Sequence, residues 1–176
     1  MSESNYKLLT VTPTVQATPD YTAGDVLFSP TEISDFFPSK NRAAQIVSIC
    51  IIDKQIVGTH DFTLYFTHSA ASFGTVNATA DAAIGTLEEI QATVPIVNGD
   101  WIAGGGAGSV DNANIAMITH SSEAADVSAG IGAIVSGYNW ARTSFSTSLH
   151  IVGIAGETMN VASTSDLIIK IGVKYI

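Results

Sequence analysis

The feature that most restricts how this chain can fold is a set of apolar runs that repeat every second residue. In residues 167–176, Leu167, Ile169, Ile171, Val173 and Tyr175 share one side, with Lys170, Gly172 and Lys174 on the other. Successive side chains of a strand point to opposite faces, so this alternation predicts a strand with one face buried. Residues 60–68 repeat the pattern, with His60, Phe62, Leu64, Phe66 and His68 set against Asp61, Thr63, Tyr65 and Thr67. In residues 46–52 both sides are largely apolar, which predicts a strand covered on both faces. A turn over residues 53–58 separates these two runs, so together they read as a hairpin.

Further strands are predicted at residues 92–97, 113–119, 131–136 and 144–154, with an Asn98-Gly99 turn after the first of them. Ala80, Ala83, Ile84, Leu87 and Ile90 recur at helical spacing instead, with Thr79 or Asp81 available as N-cap, which predicts one short helix. Residues 29–42 hold Pro30 and Pro38 and read as a loop. The adjacent Phe36 and Phe37 in that loop must point in different directions, either into the core or toward a contact. Residues 1–20 carry Pro13 and Pro19 and read as an extended N-terminal arm. Within it the alternation around Tyr6, Leu8 and Thr10 fits an edge strand or a segment that pairs with a partner. The whole reads as all-β: an arm followed by a single β-sandwich domain over residues 21–176, with the jelly roll as its candidate form.

Composition narrows the classes of function. Charged residues make up 13% of the chain, against about 25% in an average protein. Ser, Thr, Ala, Gly and Asn must therefore cover much of the surface, which suits tightly packed strands or a surface covered by neighbouring subunits. The formal net charge is −9, and the seven Lys and Arg residues form no run. That argues against nucleic acid and anionic membranes as partners. Residues 1–6 are polar, so no signal peptide is expected, and no stretch is apolar for long enough to span a bilayer as a helix.

Chemistry-bearing residues do not group in the sequence. His60 and His68 share a strand face but lie about 26 Å apart by strand rise. His120 and His150 stand in no metal-ligand spacing. The single cysteine, Cys50, sits in an apolar run and reads as a small buried hydrophobe. The glycine cluster at residues 104–108 lacks the Lys-Ser/Thr ending of a phosphate loop. Glu88 and Glu89 are helical neighbours pointing about 100° apart, which is poor geometry for a paired acid and base. Asp111, Asn112 and Asn114 lack the remaining positions of a calcium loop. No catalytic residue, cofactor or metal is expected.

Five segments, in order, resemble a family of small structural proteins of tailed bacteriophages. They are Tyr21-Thr-Ala-Gly-Asp-Val26, the apolar run ending at Asp53, Phe62-Thr-Leu-Tyr-Phe66, the Asn77 to Asp81-Ala-Ala stretch, and Gly99-Asp-Trp101. The likeness covers residues 20–105 and is structural in kind. It implies a place in the virion after synthesis in the host cytoplasm, as a capsid decoration or cement protein. The implied partners are the major capsid protein and copies of the chain itself, in a trimer. An arm adding a strand to a neighbour would dock through Tyr6, Leu8, Leu9 and Val11, with Phe36 and Phe37 as further contact residues. One alternative is a binding module of tail, baseplate or fibre, with Phe36, Phe37, Trp101 or Tyr138 against carbohydrate. Another is an enzyme on a jelly-roll scaffold, which requires the histidines to converge.

Overall fold

The computed structural model describes residues 5–39, 43–54, 60–103, 113–119, 140–141 and 147–175. They form β1 (Tyr6–Val11), β2 (Val26–Ile33), β3 (Ala43–Asp53), β4 (Phe62–Thr67), α1 (Ile84–Glu88), β5 (Ile90–Ile96), β6 (Trp101–Ala103), β7 (Asn114–Thr119), β8 (Trp140–Ala141), β9 (Leu149–Ala155) and β10 (Leu167–Tyr175). One antiparallel sheet runs β1-β10-β3-β7-β6, with β8 added against the start of β3. The other runs β2-β9-β4-β5. The pairs are nested: β1 with β10, β2 with β9, β3 with β7, β4 with β5. A long hairpin rolled up on itself produces this order, so the β-sandwich is a jelly roll. The predicted strand at residues 131–136 and the glycine cluster at 104–108 lie outside the described residues.

The core is the space between the two inner faces. Leu9 and Val11 of β1, Ile49 and Ile51 of β3, and Leu167, Ile169, Ile171 and Val173 of β10 face Phe62, Leu64 and Phe66 of β4 and Leu149 and Ile151 of β9. Each such side chain contributes about 1.5–3 kcal/mol when removed from water. Gly153 of β9 leaves room for the Phe28 ring, since a Cβ there would lie 2.6 Å from it.

The segment entering β2 is a compact polar knot. Asp25 is buried and accepts hydrogen bonds from the Thr22 backbone N–H at 2.7 Å and hydroxyl at 2.8 Å. Gly24 takes a φ of +93°, the left-handed region open to glycine at low cost. The fully buried Tyr21 donates its hydroxyl to the Leu27 carbonyl at 2.8 Å and accepts the Gln16 N–H at 2.5 Å.

Several expectations change. Of the expected arm, residues 5–20 are described and are tied into the domain: β1 pairs with β10 from Tyr6↔Lys174 to Val11↔Ile169, and Leu9, Val11 and Val15 are buried. The edge-strand alternative is the one the fold adopts, because it places the apolar parity of β1 over the core. Strand β2 takes in residues 29–33, the first part of the predicted 29–42 loop. Pro30 is accommodated because β2 is an edge strand whose register slips between Phe28 and Thr31. The runs that became β3 and β4 form no hairpin and lie in different sheets, since a jelly roll passes the chain from one layer to the other.

Strand β3 is fully buried on one face only, its outward side chains being half-buried. Its register shifts opposite Gly172/Val173, so that Ser48 pairs with Gly172 and Ile46 with Val173, leaving Val47 as an extra residue. This bulge exchanges the parity: Ala44 and Ile46 point inward before it, Ile49 and Ile51 after it. The helix spans only five residues, and its N-cap is Ala83 with no side-chain cap, in place of Thr79 or Asp81. Ala80 and Ala82 instead pack in extended chain against Phe73 and its neighbours.

Candidate functional site: an apolar outer sheet face

The two sheets treat their outer faces differently. On the four-stranded sheet, Val152, Tyr65 and Ile154 are roofed by Phe73, Ala80 and Ala82. The rings of Tyr65 and Phe73 sit 5.2 Å apart. Backbone bonds tie this roof down, from Asn77 N–H to the Val26 carbonyl, Val26 N–H to Ala78 and Ala80 N–H to Gly24. One sheet is thus covered by the chain's own segment.

The outer face of the six-stranded sheet presents apolar side chains instead. Strand register places Ile168, Ile52, Ile115 and Ile102 in one row across β10, β3, β7 and β6. The next row runs Thr10, Lys170, Cys50 and Met117. At the ends of these rows Ile102 is 68% exposed and Met117 57%, while Tyr6 and Leu8 are likewise exposed on β1. Lys170 and Lys174 are the charges on this face, and Lys174 Nζ lies 5.9 Å from the centre of the Tyr6 ring. Among the described residues, no carboxylate occupies an outward position on these strands.

Of the residues expected to dock a partner, Tyr6 and Leu8 lie on this face. Leu9, Val11, Phe36 and Phe37 do not: all four are buried in the core. Phe36 and Phe37 pack edge to face with centroids 4.9 Å apart, and the Phe37 N–H donates to the Thr147 carbonyl at 2.9 Å. Both rings of the pair turn inward, so neither is a contact residue. Trp101 is also buried, donating Nε1–H to the His60 carbonyl at 2.9 Å, while Tyr138 lies outside the described residues. Cys50 is half-buried on the outer face and not a core residue, because the β3 bulge turns its parity outward. Sequence reading missed Ile52, Ile115, Met117 and Ile168. For Ile52 the signal was the second apolar parity of β3, taken as two-sided burial; Ile115 and Met117 of β7 and Ile168 of β10 join it through strand register.

Of the described histidines, His60 lies at one end of β4, while His68 and His150 lie near each other at the other end, where Thr67 pairs with His150. His60 is buried where β4 begins, its Nε2 3.3 Å from Asp53 Oδ2 and its Nδ1 4.0 Å from Glu157 Oε1, which also accepts the Asp61 N–H at 3.0 Å. His68 follows the far end of β4 and His150 lies in β9, while His120 is outside the described residues. Among the described residues no three His, Cys, Asp or Glu side chains form a group fit for a metal ion. A groove of about 620 Å³ opens between the segment after β1 and the bulge of β2, with Thr12, Thr14, Thr18, Ser29, Thr31 and Thr164 among its lining.

No protein-family model matches the chain, and no curated protein matches it in sequence. Among the described residues no helix is long and apolar enough to cross a membrane. Among the described residues, the fold is a jelly-roll sandwich in which the chain's own segment roofs the four-stranded sheet and no such roof lies over the six-stranded one.

Proposed function

We propose that this chain is a non-enzymatic structural protein of a tailed-bacteriophage virion, a capsid decoration or cement protein that binds the major capsid protein and copies of itself. The observation that carries the reading is the apolar outer face of the six-stranded sheet. Apolar rows that are half-buried along their length and exposed at Ile102 and Met117, on a fold that roofs its other sheet, suit lasting contact between subunits. The resemblance over residues 20–105 and the low share of charged residues point the same way. Purified protein mixed with phage heads that lack it should pellet with them and raise the temperature at which they open. Heads that pellet without it would remove the reading.

A second reading, a tail, baseplate or fibre binding module, is favoured by the hydroxyl-lined groove beside β2. Its wall suits a neutral, hydroxyl-rich ligand such as a glycan. The buried Phe36, Phe37 and Trp101 offer it no stacking surface. Saturable retention on immobilised glycans, lost on replacing Thr31 by Arg, would support that reading over the first.

A further inference from the structure

We propose that copies of this chain join head to tail, the lysine-bearing outer face of the six-stranded sheet in one copy receiving the acidic, apolar α1 patch of the next. This deepens the virion reading by naming how copies meet. Two exposed apolar surfaces of opposite charge carry the inference. The sheet face presents Ile102 and Met117 beside Lys170, with Lys174 further along β10 and no outward carboxylate among the described strand positions. The α1 patch presents Ile84, 78% exposed, and Leu87, 50% exposed, with Asp81 and Glu88 exposed beside them.

Asp81, Glu88 and Glu89 lie in or beside α1, and the stretch 55–141 that contains it has none of the seven Lys and Arg residues. The region around α1 therefore has no cation of its own sequence neighbourhood to neutralise it. Face-to-face pairing of two identical sheet faces would bring the lysines of both copies into one interface with no carboxylate from the described outward strand positions to pair with them, an arrangement that like charges oppose. The acidic patch follows directly from the segment that roofs the four-stranded sheet, so it belongs to the other layer of the sandwich. A contact between the two surfaces is consequently heterologous, and it closes into a ring when the rotation between copies allows. A ring matches the trimer that the proposed role calls for.

The test uses two single variants of the full chain and sedimentation or light scattering. Wild-type protein should self-associate, and its association should weaken as ionic strength rises. Met117→Glu sets an acid against the neighbour's acids, and Leu87→Lys sets a cation against the neighbour's lysines. Each should lower self-association by roughly tenfold or more. Mixed, the two variants should recover a one-to-one pair, because each retains the surface the other lacks. A mixture that stays monomeric, or a Leu87→Lys protein that assembles like wild type, would overturn the proposal, as would a wild-type monomer at low salt. Melting curves establish that the variants fold, and Ile102→Glu with Ile84→Lys provides a second pair at still more exposed positions. Pairing without binding to heads would remove the virion reading alone, while binding to heads without pairing would remove this one.

Discussion

Tyr21 shows how one side chain couples local geometry to stability. Its hydroxyl bridges the Gln16 N–H and the Leu27 carbonyl, holding the segment before β2 against the strand itself. Burial pushes this phenol above its ordinary value of 10.0, the hydrogen bond from Gln16 opposes the shift, and the charge of Asp25 adds to it. The unfolded chain therefore releases this proton at lower pH than the folded protein does. The stabilisation is fully present below the unfolded value and is lost as pH rises through 10 toward the folded value. Burial moves Tyr175 in the same direction, against the nearby Lys7 charge. Urea titrations on both sides of pH 10 should show stability falling, with a shallower fall for Tyr21→Phe; equal slopes would show that Tyr21 is not responsible. At neutral pH the same substitution should cost about 1–2 kcal/mol through two lost hydrogen bonds. Gly153→Ala should be worse tolerated than its single methyl suggests. The new Cβ would meet the Phe28 ring, and overpacking of this kind costs about 1–3 kcal/mol, readable from the same titrations.

At the scale of elements, β1 carries more of the fold than its position near the N-terminus implies. Removing residues 1–18 strips Leu9, Val11 and Val15 from the core and leaves β10 without a partner on one side. Three buried aliphatic side chains amount to about 5–9 kcal/mol, comparable with a typical whole stability of about 5–15 kcal/mol. The truncated chain should lose its cooperative thermal transition or melt far below wild type. A transition close to that of the full chain would restore the picture of a detachable arm. Strand β3 makes a related point, because its bulge at Val47 sends Ile49 and Ile51 inward and Cys50 and Ile52 outward. Gly172 makes the bulge possible: a Cβ there would collide with the Ser48 hydroxyl.

Across the whole molecule, the two layers differ in what covers them, and the single cysteine provides a probe of that difference. Cys50 sits half-buried in the middle of the apolar outer face, between Lys170 and Met117. Its reaction with a thiol-specific label should proceed in dilute protein and slow as concentration rises through the range of assembly. A rate independent of concentration under conditions where light scattering detects oligomers would place the contact elsewhere on the molecule. The charge asymmetry acts at this scale too, since a chain of net charge −9 that keeps lysines on this face is repelled by itself in most orientations and attracted in few.

The sequence by itself determined that this chain is all-β, where most of its strands run, and which residues share a face in the unbulged strands β4 and β10. Those properties follow from local periodicity: the alternation in β10 and β4 is legible one residue at a time. Only the tertiary structure decided which parity faces inward and which strand pairs with which. Leu9 and Val11 are core while Leu8 is exposed because β10 lies beside β1, a partner more than 150 residues distant in sequence. Phe36 and Phe37 lie inside because the chain preceding β9 passes beside them. The part of the apolar outer face that β3 supplies was written in the sequence as its second apolar parity. Reading it as a surface required knowing that no second layer of the described chain packs over it, and that is a property of the assembled sandwich.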